Sequence, residues 1–384
     1  MDLKLFFDNL PDTVADFGGN VATMAGVISA NTAAMPTWKK ADIALIGVAE
    51  GSGDFAYQEA ENPANTIRKQ LYGLFHTNKN YNVVDLGNLR LGDNLEQTYL
   101  RLSEVCETLL KNNVLPVIIG GSHDLTLAQY KSYELLDKLI DVVNIDACCD
   151  MEGNSEEAKS SHIHSLLMYH PNYLFSFTQL AYQGYLNDYK HIELLRKLGF
   201  DVLSLGEIRN NFQEVEPYIR NADMLSFDMK AVKQPQANSP QNGLPFGLTM
   251  EESCQLTWYA GLNEKLSSIG FYGYQPEQDT NSHTAFAVAV MIWYFIEGFY
   301  NRKGEKILSA SFHTKYIVPM DKTTENLVFY KSNLSEKWWL EVHNLQAEAP
   351  YSRTKIVPCS YQDYLAALAG EIPDRWIKAM QRGM

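Results

Sequence analysis

The stretch Val143-Asn144-Ile145-Asp146-Ala147-Cys148-Cys149-Asp150 is an apolar run that stops abruptly in two carboxylates flanking two thiols. On an extended backbone, residues two apart share a face, so Asp146, Cys148 and Asp150 project together as a row of ligand-type groups if strand geometry persists to the end. Two further stretches end in matching chemistry. Val114 to Ile119 leads into Gly120-Gly121-Ser122-His123-Asp124, and another β-like run closes in Ser226-Phe227-Asp228-Met229-Lys230.

Outward from these three pieces the chain alternates between strand and helix patterns. Ile43 to Val48 is a continuous apolar run of the kind found in strands covered on both faces, and Glu50-Gly51-Ser52-Gly53-Asp54 breaks it as a loop. Pro63 opens a helix with Ile67, Leu71 and Leu74 at helical spacing and Asn62 as its N-cap. Then follow a strand at Val83-Val84, a helix from Leu95 to Leu110, the strand from Val114, a helix from Thr126 to Leu139, and the opening stretch. Strands are expected again at Asp201 to Leu205, Met224 to Asp228 and Ser267 to Tyr272, with a helix over 285–299 after the last. This rhythm predicts a three-layer α/β fold with a mostly parallel sheet. Ligands of such sheets bind beyond the carboxyl ends of the strands, where His123, Asp146, Asp150 and Asp228 all fall.

The 384 residues, 46% of them hydrophobic, suffice for a sizeable core. A net charge of -14 argues against a nucleic-acid backbone as partner. The most membrane-like run, Ala285 to Ile296, stops at Glu297, short of the roughly 20 apolar residues that span a bilayer, and reads as a buried helix. Five cysteines without a disulfide-scaffold spacing and no evident secretory signal lead to the expectation of a cytoplasmic protein. Residues 1–40 read as an N-terminal extension of loops and a short helix, and 41–300 as the α/β domain. Residues 301–384 read as an aromatic C-terminal extension, with a helix from near Ser360, packed on the core or at a subunit interface.

Three carboxylates and an imidazole are hard oxygen and borderline nitrogen donors, suited to manganese, iron or zinc. Any one of them alone reads as a helix cap or a polar pocket; together, each at a strand terminus, they read as a metal centre. A thiol nucleophile at Cys148 or Cys149 is disfavoured, since neighbouring aspartates raise a thiol's pKa, and the same carboxylates keep Lys230 charged and unsuited to Schiff-base chemistry.

Over residues 41–300 the chain resembles the ureohydrolase superfamily of arginase, agmatinase and formimidoylglutamase. The family pattern is Gly-Gly-Asp-His, then Asp-Ala-His-x-Asp, then Ser-x-Asp-x-Asp, and Asn62-Pro63-Ala64-Asn65-Thr66-Ile67-Arg68 and Val84-Asp85-Leu86-Gly87 share in the resemblance. The region from Phe177-Thr178-Gln179 to Tyr185 looks most like the bacterial formimidoylglutamase branch. The resemblance implies an arginase-like fold and two manganese ions that activate a hydroxide against a guanidinium or formimino carbon. It implies His123, Asp146, Asp150 and Asp228 as the protein ligands of one ion, Asp146 taking part in catalysis, and assembly as a homo-oligomer.

The second ion of the family requires a histidine where this chain has Cys148 and an aspartate where it has Lys230. A thiolate can bind zinc, but an ammonium cannot ligate a cation. The expectation is one divalent metal, manganese or zinc, or none. The family's substrate-holding acid, in a Glu-x-Asn-Pro motif, corresponds to Gly273 in Gly273-Tyr274-Gln275-Pro276; Glu277 and Asp279 are the nearby acids that could replace it, against a reading as solvated loop acids. In Ser160-Ser161-His162-Ile163-His164, read as a loop, His164 is the first candidate for a proton shuttle and His162 the alternative. Two functions follow: a divergent hydrolase of linear amidines acting on a small guanidino or formimino compound, or a catalytically silent relative that binds a ligand or partner.

Overall fold

The computed structural model describes residues 1–15, 20–50, 62–153, 158–233, 244–305, 313–320, 326–342 and 355–382, so most of the loop predicted after Glu50 lies outside them. In chain order the first strands are β1 (Phe7–Asp8), β2 (Ile28–Ala30), β3 (Ile43–Gly47), β4 (Val83–Leu89) and β5 (Leu115–Ile119). They are followed by β6 (Ile140–Ile145), β7 (Leu174–Tyr182), β8 (Asp201–Ser204), β9 (Met224–Asp228) and β10 (Ser268–Tyr272). These form one sheet ordered β1-β4-β3-β5-β10-β9-β6-β7-β8, with β2 also paired to β4. Only the short β1 runs antiparallel to its neighbour.

Strands β3, β5, β6, β9 and β10 are buried at every residue, which requires cover on both faces and accounts for their unbroken apolar sequences. Ile43 and Leu45 pack with the helices Pro63–Gly73, Met250–Leu262 and His283–Phe299. Ala44 and Ile46, on the alternate face, pack with the helix Leu95–Lys111. The result is the expected three-layer α/β architecture. Asn62 caps its helix by accepting from the Ala64 N–H at 3.0 Å, with Pro63 in the first turn. The stretches around Arg68 and Asp85 meet in the interior: Arg68 Nε and Nη2 donate to the two Asp85 oxygens at 2.7 and 2.9 Å, and Tyr72 adds a third bond at 2.8 Å.

Several features differ from the sequence reading. Residues 1–40 contribute β1 and β2 to the main sheet rather than loops and a short helix alone. Strand β7 was not expected, because Ser176, Thr178 and Gln179 interrupt its apolar pattern; all three are buried in the fold. The helix expected from Thr126 to Leu139 ends at Lys131, and a short 3₁₀ turn follows at Glu134–Leu136.

Beyond residue 300 lie β11 (His313–Val318), β12 (Leu327–Ser332), β13 (Trp338–Val342) and β14 (Lys355–Cys359), an antiparallel sheet in that order. The helix Tyr361–Leu368 starts with a capping box between Ser360 and Asp363. This unit docks on the main domain through Arg220. Its guanidinium donates to the carbonyls of Trp338 and Cys359, both at 3.0 Å, and lies 4.5 Å from the Trp339 ring. Among the described residues no helix is long and apolar enough to cross a membrane.

Candidate metal centre

The sheet order sets the site. Strands β5, β10, β9 and β6 lie side by side, and the register pairs Phe271 with Ile119, Tyr272 with Asp228 and Ile145 with Phe227. The carboxyl ends of three of these strands therefore deliver His123, Asp228 and the Asp146–Asp150 turn to one place. Between them the chain leaves β10 at Gly273, whose φ of +79 and lack of a side chain leave room for the Asp228 carboxylate.

His123 is the hub. Its Nδ1 stands 3.1 Å from Asp146 Oδ2, 3.2 Å from Asp228 Oδ2 and 3.4 Å from Asp150 Oδ2. Its other nitrogen, Nε2, is 2.9 Å from Ser226 Oγ, which is itself 2.6 Å from Thr126 Oγ1. That bond turns Nδ1 toward the carboxylates, the arrangement by which an outer hydrogen bond orients a ligating imidazole. The sequence pattern marks neither Ser226 nor Thr126 as a site residue, although Ser226 lies two residues before Asp228 on one face of β9. Nδ1 of His123, Oδ2 of Asp146 and Oδ2 of Asp150 are buried without a hydrogen-bond partner. Buried polar atoms are rarely left so, and three converging on one point match the donor set of a divalent ion. His123, Asp146 and Asp228 form one candidate ligand group, and His123, Asp150 and His162 a second.

Burial favours neutral imidazole at His123, but the carboxylates, Asp228 foremost, outweigh it and raise its pKa well above the ordinary value. Asp146 is raised by burial and then by Asp150, against the opposing charges of His123 and Lys230. Burial, followed by Asp146 and Asp150, pushes the Cys148 thiol far up, so a thiolate nucleophile finds no support. Backbone N–H groups of Cys148 and Lys230 donate to Asp146 Oδ1 at 3.1 Å and Asp228 Oδ1 at 2.9 Å.

The two histidines part company. Residues 158–167 form a helix rather than a loop, and residues two apart on a helix point in nearly opposite directions. His162 enters the cluster, its ring 4.4 Å from that of His123 and its Nδ1 3.8 Å from Asp150 Oδ2. His164 lies instead against Gly153. Of the two acids beyond Gly273, Asp279 accepts from the N–H groups of Thr284 and Ala285 at 3.0 and 2.9 Å, which caps the helix His283–Phe299, and Glu277 is exposed.

A mostly parallel α/β sheet thus carries, at the carboxyl ends of its strands, a cluster of carboxylates and imidazoles that could hold a metal ion. Residues 41–297 match the arginase family, and the chain belongs to that family. It is 22% identical over 261 residues to formimidoylglutamase of Staphylococcus aureus (strain MSSA476), a match covering 65% of this chain and 82% of that protein. With formimidoylglutamase of Staphylococcus carnosus (strain TM300) the identity is 24% over 273 residues, covering 67% and 87%. The fold is similar to that of formimidoylglutamase from Bacillus subtilis, with a TM-score of 0.66 at 18% identity over 77% of this chain and 97% of the other. It is also similar to Trypanosoma cruzi formiminoglutamase solved with manganese, with a TM-score of 0.63 at 19% identity over 69% and 95%.

Proposed function

We propose that the protein hydrolyses C–N bonds in linear amidines of the formimidoylglutamate type, with a single divalent ion. The carrying observation is the convergence of His123 Nδ1, Asp146 Oδ2 and Asp150 Oδ2, buried and without hydrogen-bond partners, beside Asp228. His123, Asp146, Asp150 and Asp228 would hold the ion. When bound, such an ion supplies Lewis acidity and lowers the proton affinity of water at the site.

Support for one ion rather than two comes from Cys148 and Lys230, which stand where the resemblance requires a histidine and an aspartate. An ammonium offers no lone pair to a metal, and the Lys230 charge acts on both Asp146 and Cys148. Three carboxylates, one ammonium, one divalent ion and a protonated thiol sum to neutrality. Asp146 and Asp228 fix the Cys148 and Lys230 backbone through their second oxygens. His162, whose Nδ1 lies 3.8 Å from Asp150 Oδ2, is the group this reading assigns to proton transfer, in preference to His164, which lies against Gly153. A second reading, a catalytically silent relative that binds a small ligand, is favoured by Gly273, which offers no carboxylate to hold a guanidino or formimino group.

The test is to purify the chain with manganese or zinc, count bound ions, and assay formamide or urea release from formiminoglutamate, arginine and agmatine. One ion per chain, with turnover abolished by Asp146→Ala, is expected. Two tightly bound ions would sink the single-metal reading, and a metal-loaded protein inert on all three compounds would favour the silent one. Combining Cys148→His with Lys230→Asp should admit a second ion.

A further inference from the structure

Strand β6 ends at Ile145, and past it the turn 146–150, which carries two of the four carboxylate and imidazole ligands, keeps two backbone bonds toward β7: the Asp146 N–H donates to the Leu180 carbonyl at 3.1 Å, and the Ala147 carbonyl accepts from the Gln183 N–H at 3.0 Å. Other backbone polar groups buried beyond a strand end need partners of another kind. Two side-chain amides provide them. Gln179 of β7, fully buried, donates through Nε2 to the carbonyls of Asp146 at 3.0 Å and Cys148 at 3.1 Å, and its Oε1 accepts from Asn144 Nδ2 at 2.9 Å. Asn187, in the segment after β7, donates through Nδ2 to the carbonyls of Ala147 at 2.9 Å and Gln183 at 2.8 Å. Its Oδ1 accepts from the Cys149 N–H at 2.7 Å.

Three consecutive carbonyls, of residues 146, 147 and 148, and the next N–H are thus all bound by two amides. Each amide uses both its N–H bonds and its oxygen. The held turn is not relaxed: Asp150, which closes it, has φ +42, a left-handed conformation uncommon for a residue other than glycine. In β7 the register slips between Leu180 and Tyr182, with Ala181 at φ +67, so the strand bends between the two amide-bearing positions.

We propose that Gln179 and Asn187 are positioning residues that clamp the 146–150 turn in the geometry that binds the ion. The inference rests on the metal reading of the site. Without the clamp the turn is free to relax at Asp150, and Asp146 and Asp150 no longer meet His123 together.

The test measures Mn2+ affinity by calorimetric titration of the full chain and its variants, with thermal unfolding followed by circular dichroism. Gln179→Met keeps volume and loses all three bonds. Asn187→Asp keeps the acceptor for Cys149 and loses both carbonyl bonds. Each should weaken Mn2+ binding by about 10- to 100-fold, as loss of outer partners does at metal sites, while unfolding stays cooperative. Should Gln179→Met fail to fold, Asn187→Asp decides alone. Folded variants that bind Mn2+ within about twofold of the unaltered protein would overturn the clamp. An unaltered chain that binds no Mn2+ or Zn2+ would instead overturn the metal reading on which it stands.

Discussion

At Gly273 the chain passes beside the centre with φ +79, and a Cβ there would collide with Asp228 Oδ1. The residue type is set by that collision and by the left-handed backbone. Gly273→Ala is expected to cost roughly 1–3 kcal/mol of stability, measurable by urea unfolding, and to weaken Mn2+ binding by displacing Asp228. The same crowding explains a limit of the sequence reading. The absence of a carboxylate at Gly273 was legible, whereas the reason for glycine required knowing that Asp228 lies across the register from Tyr272. Ser226 and Thr126 are not legible in the sequence for a similar reason: a buried hydroxyl becomes significant only once the imidazole it holds has been placed.

At the level of single elements, helix or loop decides the chemistry. His162 and His164 look equivalent in sequence, but the helix Ala158–Leu167 sends them to different sides, and only His162 joins His123 and Asp150. Asp279 is decided in the same way. It could be a substrate-binding acid from its position after Gly273, yet its oxygens cap the helix His283–Phe299 and accept from Tyr274 at 3.0 Å. Asp279→Ala should therefore cost about 1 kcal/mol in denaturant unfolding, as loss of a cap does, and leave the KM for any substrate unchanged. A raised KM with unaltered stability would return Asp279 to substrate binding.

Across the whole molecule, the C-terminal sheet is held to the main domain by Arg220 together with Glu216 and Lys337. Arg220 and Lys337 lie 3.1 and 3.2 Å from Glu216 Oε1. Arg220→Met removes the carbonyl bonds to Trp338 and Cys359 and should destabilise the protein by about 2–4 kcal/mol. Burial alone would raise the Glu216 pKa, but Arg220 and then Lys337 outweigh it and hold the carboxyl below its ordinary value. The sign follows from linkage. The folded chain binds this proton less tightly than the unfolded chain, so the stabilisation is complete above about pH 4.3 and is lost as pH falls through the folded value. Unfolding followed from pH 7 to 3 should show this loss, and a Glu216→Gln variant should show less of it.

The sequence by itself determined the layer architecture, because strands covered on both faces must be apolar throughout and the intervening helices must repeat at 3.6 residues. The sequence also marks His123, Asp146, Asp150 and Asp228 as a candidate centre, since each lies at or just beyond the end of an apolar run. Local pattern carries no information about which strands become neighbours or how a buried polar residue is satisfied. Strand order brought three distant strand ends together beside Gly273, the helix after Asp150 sent two histidines to different sides, and β7, unreadable because its buried polar residues mimic a surface, supplied the amide that binds the 146–150 turn. Those outcomes depend on contacts between residues far apart in the chain, and only the folded structure fixes them.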